Sequence, residues 1–380
     1  MIGGDTRAST GTRIVMHVDF DYFYAQCEEV RDPSLRGKPL AVCVFSGRTE
    51  DSGVVSTANY AAREHGVRSG IPIRVAKSRL AGISDAAFLP VDMSYYSEVS
   101  EKAMSLIQSF AGRFEQVGID ECFIDVSELA SSFEVARTLA SQIKVSIKKS
   151  LGLTCSIGVA PNKMLAKIAS DFQKPDGLTV IEPESSQNFI ANLSVDKISG
   201  IGPKTSMRLG ELGVKTISEL IGLDQFKLLE EFGRKTGTFI HNAARGIDEE
   251  PVAESGESKQ IARIITLKND ASTSTEMSNE LLELCQSVLE SAAARKLAFK
   301  TVSVITILNN LDQKSKSKTL KTHSNSLELL HSTAKVLLDE LMESDESVKV
   351  RRLGVRLSEL QNTAGQNKMS QFMGDQNGLS

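Results

Sequence analysis

Val18-Asp19-Phe20-Asp21-Tyr22-Phe23-Tyr24 is the stretch around which the rest of the chain is organised. The apolar run Ile14 to Val18 leads into it and reads as a strand, because β-branched residues recur and no breaker intervenes. Asp19 stands at the end of that strand, before an aromatic cluster that begins a turn into new structure. An acid at the end of a buried strand costs desolvation energy unless a cation or a donor meets it. Far downstream, Phe114 to Ile119 and Cys122 to Val126 read as two short strands with Asp120 and Glu121 between them. The organising expectation is that these two places meet and that Asp19, Asp120 and Glu121 share divalent metal. Each part also has a plainer reading. A lone Asp after an apolar run ends a strand or caps a helix, and an Asp-Glu pair between strands is a solvated hairpin tip.

Composition bounds the possibilities. The 380 residues are 41% hydrophobic and 24% charged, an ordinary globular balance with length for two to four domains. No apolar stretch approaches the roughly 18 residues of a membrane span, so no membrane partner is expected. Met1 to Thr12 is polar and rich in Gly, Ser and Thr, without the apolar core of a signal peptide, and reads as a disordered tail. The five cysteines are scattered and form no Cys-x-x-Cys pair, which fits a reducing cytoplasm and neither a disulfide frame nor a zinc site. A net charge of −4 argues against indiscriminate coating of nucleic acid, while leaving room for local basic surfaces.

After the Asp19 strand, Ala25 to Val30 continues as a short helix, Leu40 to Val44 and Val54 to Thr57 read as strands, and Asn59 to His65 as a helix stopped by Gly66. Tyr60 and Arg63 share a face of that helix, either as a packed aromatic with a snorkelling cation or as an anion site. Tyr95 to Phe110 and Phe133 to Ser150 carry helical spacing, and Thr154 to Val159 is a buried strand. Pro161-Asn162-Lys163 opens a helix running to Phe172. Lys163 and Lys167 lie on one of its faces, solvated on their own or meeting a polyphosphate beside a carboxylate site.

Residues 180–245 differ: short helices punctuated by glycine. In Ile198-Ser199-Gly200-Ile201-Gly202-Pro203-Lys204-Thr205, alternate glycines permit a tight turn, and the next helix begins with exposed amides, a natural phosphate seat. It looks like a helix-hairpin-helix, with an ordinary turn as the alternative. Neither a P-loop nor a Gly-x-Gly-x-x-Gly loop is present. The acidic, breaker-rich stretch 246–258 reads as a tether. Beyond it comes a β-α-β-β-α-β order, which fits a small sheet with both helices on one face. Its basic clusters, among them Lys300, Arg351 and Arg352, are either a solvated edge or a phosphate-tracking surface. In the polar tail, Gln366 with Met369, Phe372 and Met373 would form an apolar plug on one turn of helix, resembling the peptide that docks on sliding DNA clamps. Met373 stands where that peptide usually has a second aromatic.

Four segments carry a resemblance to a known family: Val18 to Ala25, Thr57-Ala58-Asn59-Tyr60-Ala61-Ala62-Arg63, Gly118-Ile119-Asp120-Glu121, and Asn162-Lys163-Met164-Leu165-Ala166-Lys167-Ile168-Ala169. Together they look like Y-family DNA polymerases of the DNA polymerase IV group, and the loop 45–53 resembles archaeal members. The resemblance covers residues 13–360 and implies an α+β multidomain right hand. Its palm would be 13–22 with 89–174, its fingers 23–88, its helical thumb 175–245, its linker 246–258 and its little finger 259–360. Residues 1–12 and 361–380 would be disordered tails, the latter with the clamp-binding-like motif. It implies that Asp19, Asp120 and Glu121, helped by the Phe20 carbonyl, hold two Mg²⁺ ions (or Mn²⁺), and that Glu121 is the formal catalytic acid. Tyr60, Arg63 and Lys167 match positions that hold the incoming triphosphate, and Tyr24 matches the steric gate against a ribose 2′-hydroxyl. The implied backbone contacts to DNA are Gly200, Gly202, Lys204, Lys300, Arg351 and Arg352. The implied activity is template-directed, low-fidelity translesion synthesis by a cytoplasmic monomer without a proofreading nuclease, with primer-template DNA, deoxynucleotides and a sliding clamp as partners. A nucleotide cyclase would share a two-metal palm but has no need of the later domains; a DNA-binding scaffold has no use for the carboxylates with Tyr24.

Overall fold

In a computed structural model, residues 13–254, 259–343 and 349–363 are described. The described residues divide into two units, one within Met1–Val44 and Gly53–Gly256, the other within Phe45–Ser52 and Glu257–Ser380.

The first unit opens with β1 (Val15–Phe20), α1 (Phe23–Arg31), β2 (Leu40–Phe45), β3 (Gly53–Ala58), α2 (Tyr60–Glu64), α3 (Ile73–Arg79) and β4 (Ala87–Pro90). It continues with α4 (Met93–Gln108), β5 (Arg113–Gln116), β6 (Glu121–Asp125), α5 (Phe133–Leu151), β7 (Cys155–Ala160), α6 (Lys163–Phe172) and β8 (Leu178–Val180). The helices α7 (Ser186–Ala191), α8 (Pro203–Glu211), α9 (Ile217–Ile221) and α10 (Gln225–Ala244) complete it.

The central sheet has the order β5-β6-β1-β7-β8. The strand β1 lies in its middle, antiparallel to both neighbours, and five of its six residues are buried. Apolar residues therefore fill both faces: α4 and α5 cover one through Tyr96, Ile107, Ile143 and Ile147, while α6 packs on the other through Leu165 and Ala169. Gly158 is what lets α6 approach. A Cβ there would fall 2.0 Å from the Ala166 carbonyl oxygen and 2.4 Å from the Ser170 nitrogen. The strands β3-β2-β4 form a second small sheet, whose core includes Ala41, Val55, Ala62 and Ile73.

In the second unit, β9 (Gln260–Ala271), α11 (Ser278–Ala294), β10 (Leu297–Leu308), β11 (Gln313–Ser324), α12 (Leu327–Met342) and β12 (Val350–Ser358) give the expected β-α-β-β-α-β order, with a short β13 (Gln361–Asn362) added. The sheet runs β11-β10-β12-β9, and both helices bury its Val302, Val304, Leu353 and Val355. The loop Phe45–Ser52, expected with the fingers, groups with this unit: the Arg48 guanidinium donates to the Leu267 carbonyl at 2.7 Å and pairs with Asp270.

Several boundaries differ from the sequence reading. Glu121 is the first residue of β6 rather than part of the preceding turn. The strands β9, β10 and β11 each extend over 12 residues, because polar edges continue pairing beyond their apolar centres. The stretch expected as a tether is packed over its first part. Val252 is 2% exposed in the first unit's core, and Asp248 Oδ2 accepts the Met164 N–H at the start of α6 (2.9 Å). None of the described helices is long and apolar enough to cross a membrane.

Candidate active site

Strand pairing closes the sequence gap between the acids. Asp19 lies opposite Glu121 in the β1–β6 register, and the Phe20 N–H donates to the Asp120 carbonyl at 2.9 Å. Asp19 and Asp120 line a cavity of about 420 Å³, together with Phe20, Tyr24, Thr57, Tyr60, Arg63 and Lys174. Glu121 lines a second cavity of about 500 Å³, with Lys163, Lys167, Ser199 and Phe239 among its walls. Ligand atoms of His17, Asp19 and Glu121 lie within 4.8 Å of one another, so Asp19 on the wall of the first cavity is close to Glu121 on the wall of the second.

The neighbouring acids have opposite electrostatics. Burial raises the Asp19 carboxyl above the ordinary carboxylate range, against the pull of Lys174, whose Nζ lies 2.8 Å from Asp19 Oδ1. Asp120 is raised too, by burial and then by the charge of Glu121. Glu121 is held down at about 2, first by the hydrogen bond from His17 and, against some burial, by Lys167, which pairs with the same oxygen. The His17 ring is fully buried, which lowers its pKa and keeps it neutral. It sits between Ser170 Oγ (2.7 Å from Nδ1) and Glu121 Oε2 (3.2 Å from Nε2), an arrangement that suits the tautomer protonated on Nε2. Glu121 thus has a cation and a donor at hand, whereas burial works against the charge on Asp19 and Asp120. Two such carboxylates with Glu121 adjoining make an oxygen donor set that suits a hard divalent cation.

Around the first cavity, Tyr24 stacks on Tyr96, with ring centroids 4.5 Å apart and planes at 13°, and Tyr96 is itself fixed by its hydroxyl on Glu28 Oε1 (2.7 Å). Burial, then Asp120, raises the Tyr24 hydroxyl, which stays neutral. Asn59 caps α2 by accepting from the Ala62 N–H (3.0 Å), which orients Tyr60 and Arg63 on the first turn. Tyr60 meets Tyr22 edge-on at 5.4 Å, and the Arg63 guanidinium sits 4.9 Å from the Tyr60 ring centroid. The packed aromatic and the candidate anion site are therefore one arrangement, since both residues also line the cavity.

Lys167 faces Glu121 and lines the second cavity, so it is not gathered with Tyr60 and Arg63. The cation in that position is Lys174, which the sequence reading did not single out. Asp19 and Asp171 (2.7 Å) overcome the effect of its burial and raise its pKa, keeping it charged. The signal available was a lysine just past the end of a helix, immediately before the breakers Pro175-Asp176-Gly177. Lys163 is not solvated either: its side chain is 8% exposed and pairs with Glu115 and Glu250, each at 2.9 Å. Asp125 turns back on Ser127, accepting from its N–H at 3.0 Å.

In the hairpin, Gly200 has φ +99° and lies so near Phe239 that a Cβ would come within 2.9 Å of the ring. Gly202 caps α8, and Lys204 is exposed on its first turn. Lys300 lies on β10 and Arg351 and Arg352 on β12, all in the second unit. Arg352 is exposed. Gln366, Met369, Phe372 and Met373 lie outside the described residues.

Three family descriptions match in chain order: the impB/mucB/samB family over residues 18–171, the thumb domain of DNA polymerase-iota over 196–248, and the impB/mucB/samB family C-terminal domain over 258–370. The chain is 49% identical to DNA polymerase IV of Nitrosopumilus maritimus, over 95% of this chain and 99% of that one. It is 37% identical to DNA polymerase IV of Saccharolobus solfataricus, over 93% and 99%. Among solved structures, a Y-family DNA polymerase chimera of Dbh and Dpo4 superposes with a TM-score of 0.87 at 35% identity, over 92% and 99% of the two chains. An insertion ternary complex of Dbh DNA polymerase superposes at 0.66 with 36% identity, over 91% and 98%.

Proposed function

The chain belongs to the Y-family DNA polymerases, in the DNA polymerase IV group, and is a DNA-directed DNA polymerase; from that premise we propose that it extends a primer 3′ end by two-metal nucleotidyl transfer in the cavity bounded by Asp19 and Asp120. The observation that carries this reading is the meeting of Asp19 with Asp120 and with Glu121 at the start of β6, beside a cavity whose other walls include Tyr60, Arg63 and Lys174. Asp19 and Asp120 would hold Mg²⁺ or Mn²⁺, with the Phe20 carbonyl assisting and Glu121 completing the set. When bound, such ions make a 3′-hydroxyl nucleophilic and steady a triphosphate and its leaving pyrophosphate.

The chain's own residues do the rest. His17 and Lys167 hold Glu121 ionised and aimed along the edge shared with Asp19. Lys174, Arg63 and the Tyr60 hydroxyl offer donors to the triphosphate, so that binding energy from the non-reacting phosphates orients the one that reacts. Tyr24, backed by Tyr96, fills the space a 2′-hydroxyl would need. The hairpin at Gly200 and Gly202, with Lys204, and the basic residues Lys300, Arg351 and Arg352 would track the phosphates of primer-template DNA without reading bases. Low-fidelity translesion synthesis, without a proofreading nuclease, belongs to the same reading. Its support is the kinship with Y-family DNA polymerases of the DNA polymerase IV group. The 366–373 motif is assigned to a sliding clamp, and its deletion should remove only clamp-stimulated synthesis.

Incubation with primed template, Mg²⁺ and four deoxynucleotides tests the reading. Asp120→Ala and Glu121→Ala should each abolish extension while DNA binding persists. Substantial synthesis by either variant would refute the assignment of the acids.

A further inference from the structure

Asp21 belongs to the same Val18–Tyr24 stretch as Asp19 but takes no part in the acid cluster. It borders the first cavity, yet is only 1% exposed, because its carboxylate turns into the protein. Oδ1 accepts from Ser156 Oγ at 2.7 Å, and Oδ2 accepts from Thr154 Oγ1 at 2.8 Å and from the Asp176 backbone N–H at 2.9 Å. Ser156 Oγ also accepts from the Gly177 N–H at 3.1 Å. Gln26 Nε2 ties the Asp21 and Thr154 carbonyls together (2.5 and 3.2 Å). One buried carboxylate thus gathers the end of β1, the start of β7 and the turn at 176–177.

That turn begins with Lys174. Asp176 has φ +53°, a left-handed conformation uncommon outside glycine, though one that Asp tolerates better than most residues. Two contacts hold it there: the hydrogen bond to Asp21 and the pairing of the Asp176 side chain with Lys144 Nζ at 2.6 Å. Two residues before it, the Lys174 ammonium is held between Asp19 and Asp171 at the edge of the cavity.

We infer that Asp21 is the positioning residue for Lys174: by anchoring the 174–177 turn to β1 and β7, it keeps the ammonium where an incoming triphosphate meets it. The inference rests on the reading of Lys174 as a triphosphate contact given above. Without the anchor the turn relaxes, and the ammonium is no longer presented at a fixed height over Asp19. A carboxylate that merely glued the core would act on stability and would not single out nucleotide affinity.

The test is equilibrium binding of deoxynucleoside triphosphate to the full chain on a dideoxy-terminated primer-template with Mg²⁺. The proteins are wild type, Asp21→Asn, Lys174→Met and the double variant, with melting temperatures recorded alongside. Asn keeps the shape of Asp but puts an amide donor where one of the two oxygens accepts. Lys174→Met should weaken nucleotide binding about tenfold or more and Asp21→Asn about five- to tenfold, while the double variant matches Lys174→Met within about twofold, as expected when one residue acts through the other. A loss at Asp21 that persists in full when Lys174 is already gone, or no loss at Asp21 at all, overturns the inference. If Lys174→Met itself binds nucleotide normally, the underlying reading of Lys174 fails instead. Should Asp21→Asn not fold, Ser156→Ala removes one of the three hydrogen bonds. It must then weaken binding about two- to threefold, in the presence of Lys174 only; equal weakening in both backgrounds overturns the inference.

Discussion

Asp120→Asn should make the metal-free protein more stable while destroying its activity. The Asp120 carboxyl is raised by burial and by the charge of Glu121, so its folded-state pKa exceeds its unfolded one. For an acid shifted in this direction, the protonated form is the one the fold favours. Its favourable contribution is fully present below the unfolded pKa near 3.9 and is lost as pH rises through the higher folded value. At neutral pH the ionised group is therefore a net cost. Two like charges a few ångströms apart at an effective dielectric near 20 repel by on the order of a few kcal/mol. Lys174 and Lys167 offset much of this, since both act on Asp120 in the opposite direction. About 1 kcal/mol of relief is left for a neutral isostere, which raises the melting temperature by about 2–4 °C in a cooperative unit of 150–250 residues. The assay is thermal unfolding in a chelator from pH 4 to 8, repeated with excess Mg²⁺. The gain should grow with pH and disappear toward pH 4. Mg²⁺ should stabilise wild type by RT ln(1 + [Mg²⁺]/Kd) and the variant far less. An Asp120→Asn protein that melts lower in chelator, or gains as much from Mg²⁺ as wild type, would refute the reasoning.

Glu121→Gln should move the other way. Its folded pKa of about 2 lies below the ordinary value, so it contributes stability above pH ~4.5 that is lost as pH falls toward 2. Discounted for its partial exposure, that contribution is about 1–2 kcal/mol, seen as a lower denaturation midpoint at pH 7 that converges with wild type in acid. Tyr24→Ala should admit ribonucleotides, raising their kcat/KM relative to deoxynucleotides by at least about tenfold, since the site then no longer excludes the hydroxyl; an unchanged sugar preference rejects the gate. Gly158→Ala places a methyl inside the van der Waals radius of the Ala166 carbonyl and should cost about 1–3 kcal/mol or more in urea unfolding. A midpoint equal to wild type would show that α6 does not pack as described.

What was legible in the sequence was what lies close together along it. The Ile14–Val18 run announced β1, and the helical spacing around Tyr96 and Ile107 announced α4. The β-α-β-β-α-β order of the second unit followed from strand and helix periods alone. What escaped was set by partners distant in sequence. Lys163 looked solvated because nothing near it is acidic, while its partners Glu115 and Glu250 arrive from far on either side. The 246–253 segment looked like a free tether because its acids show no apolar period. Yet Asp248 supplies the negative charge that a helix N-terminus favours, and Val252 alone anchors the segment in the core. Lys167 was legible as a cation near the carboxylate site, expected on the triphosphate; that it pairs with Glu121 instead depends on the face of α6 that Gly158 admits to the sheet.

The acid site shows why residue type and spacing reach only so far. Asp120 and Glu121 are adjacent and nearly the same chemically, yet one is pushed up and the other held down. The difference is made by strand geometry: at the start of β6, Glu121 lies opposite Asp19 and reaches His17 and Lys167, whereas Asp120 lies in the preceding turn and lines the first cavity. A single-residue slip of the β1–β6 register would put Asp120 opposite Asp19 and carry Glu121 into the place of Cys122, opposite Val18 on the other, buried face of the sheet. What fixes the register is therefore as much a part of the site as the acids themselves. It is fixed by the buried alternation of Val15 to Phe20, which pairs with β6 on one side and β7 on the other. Polar contacts flank it as well: the hydrogen bond of the Phe20 N–H to the Asp120 carbonyl, and that of Asp21 to Ser156. The site's chemistry is thus decided in large part in the middle of the sheet, by apolar residues such as Val15, Met16 and Val18 that line neither cavity.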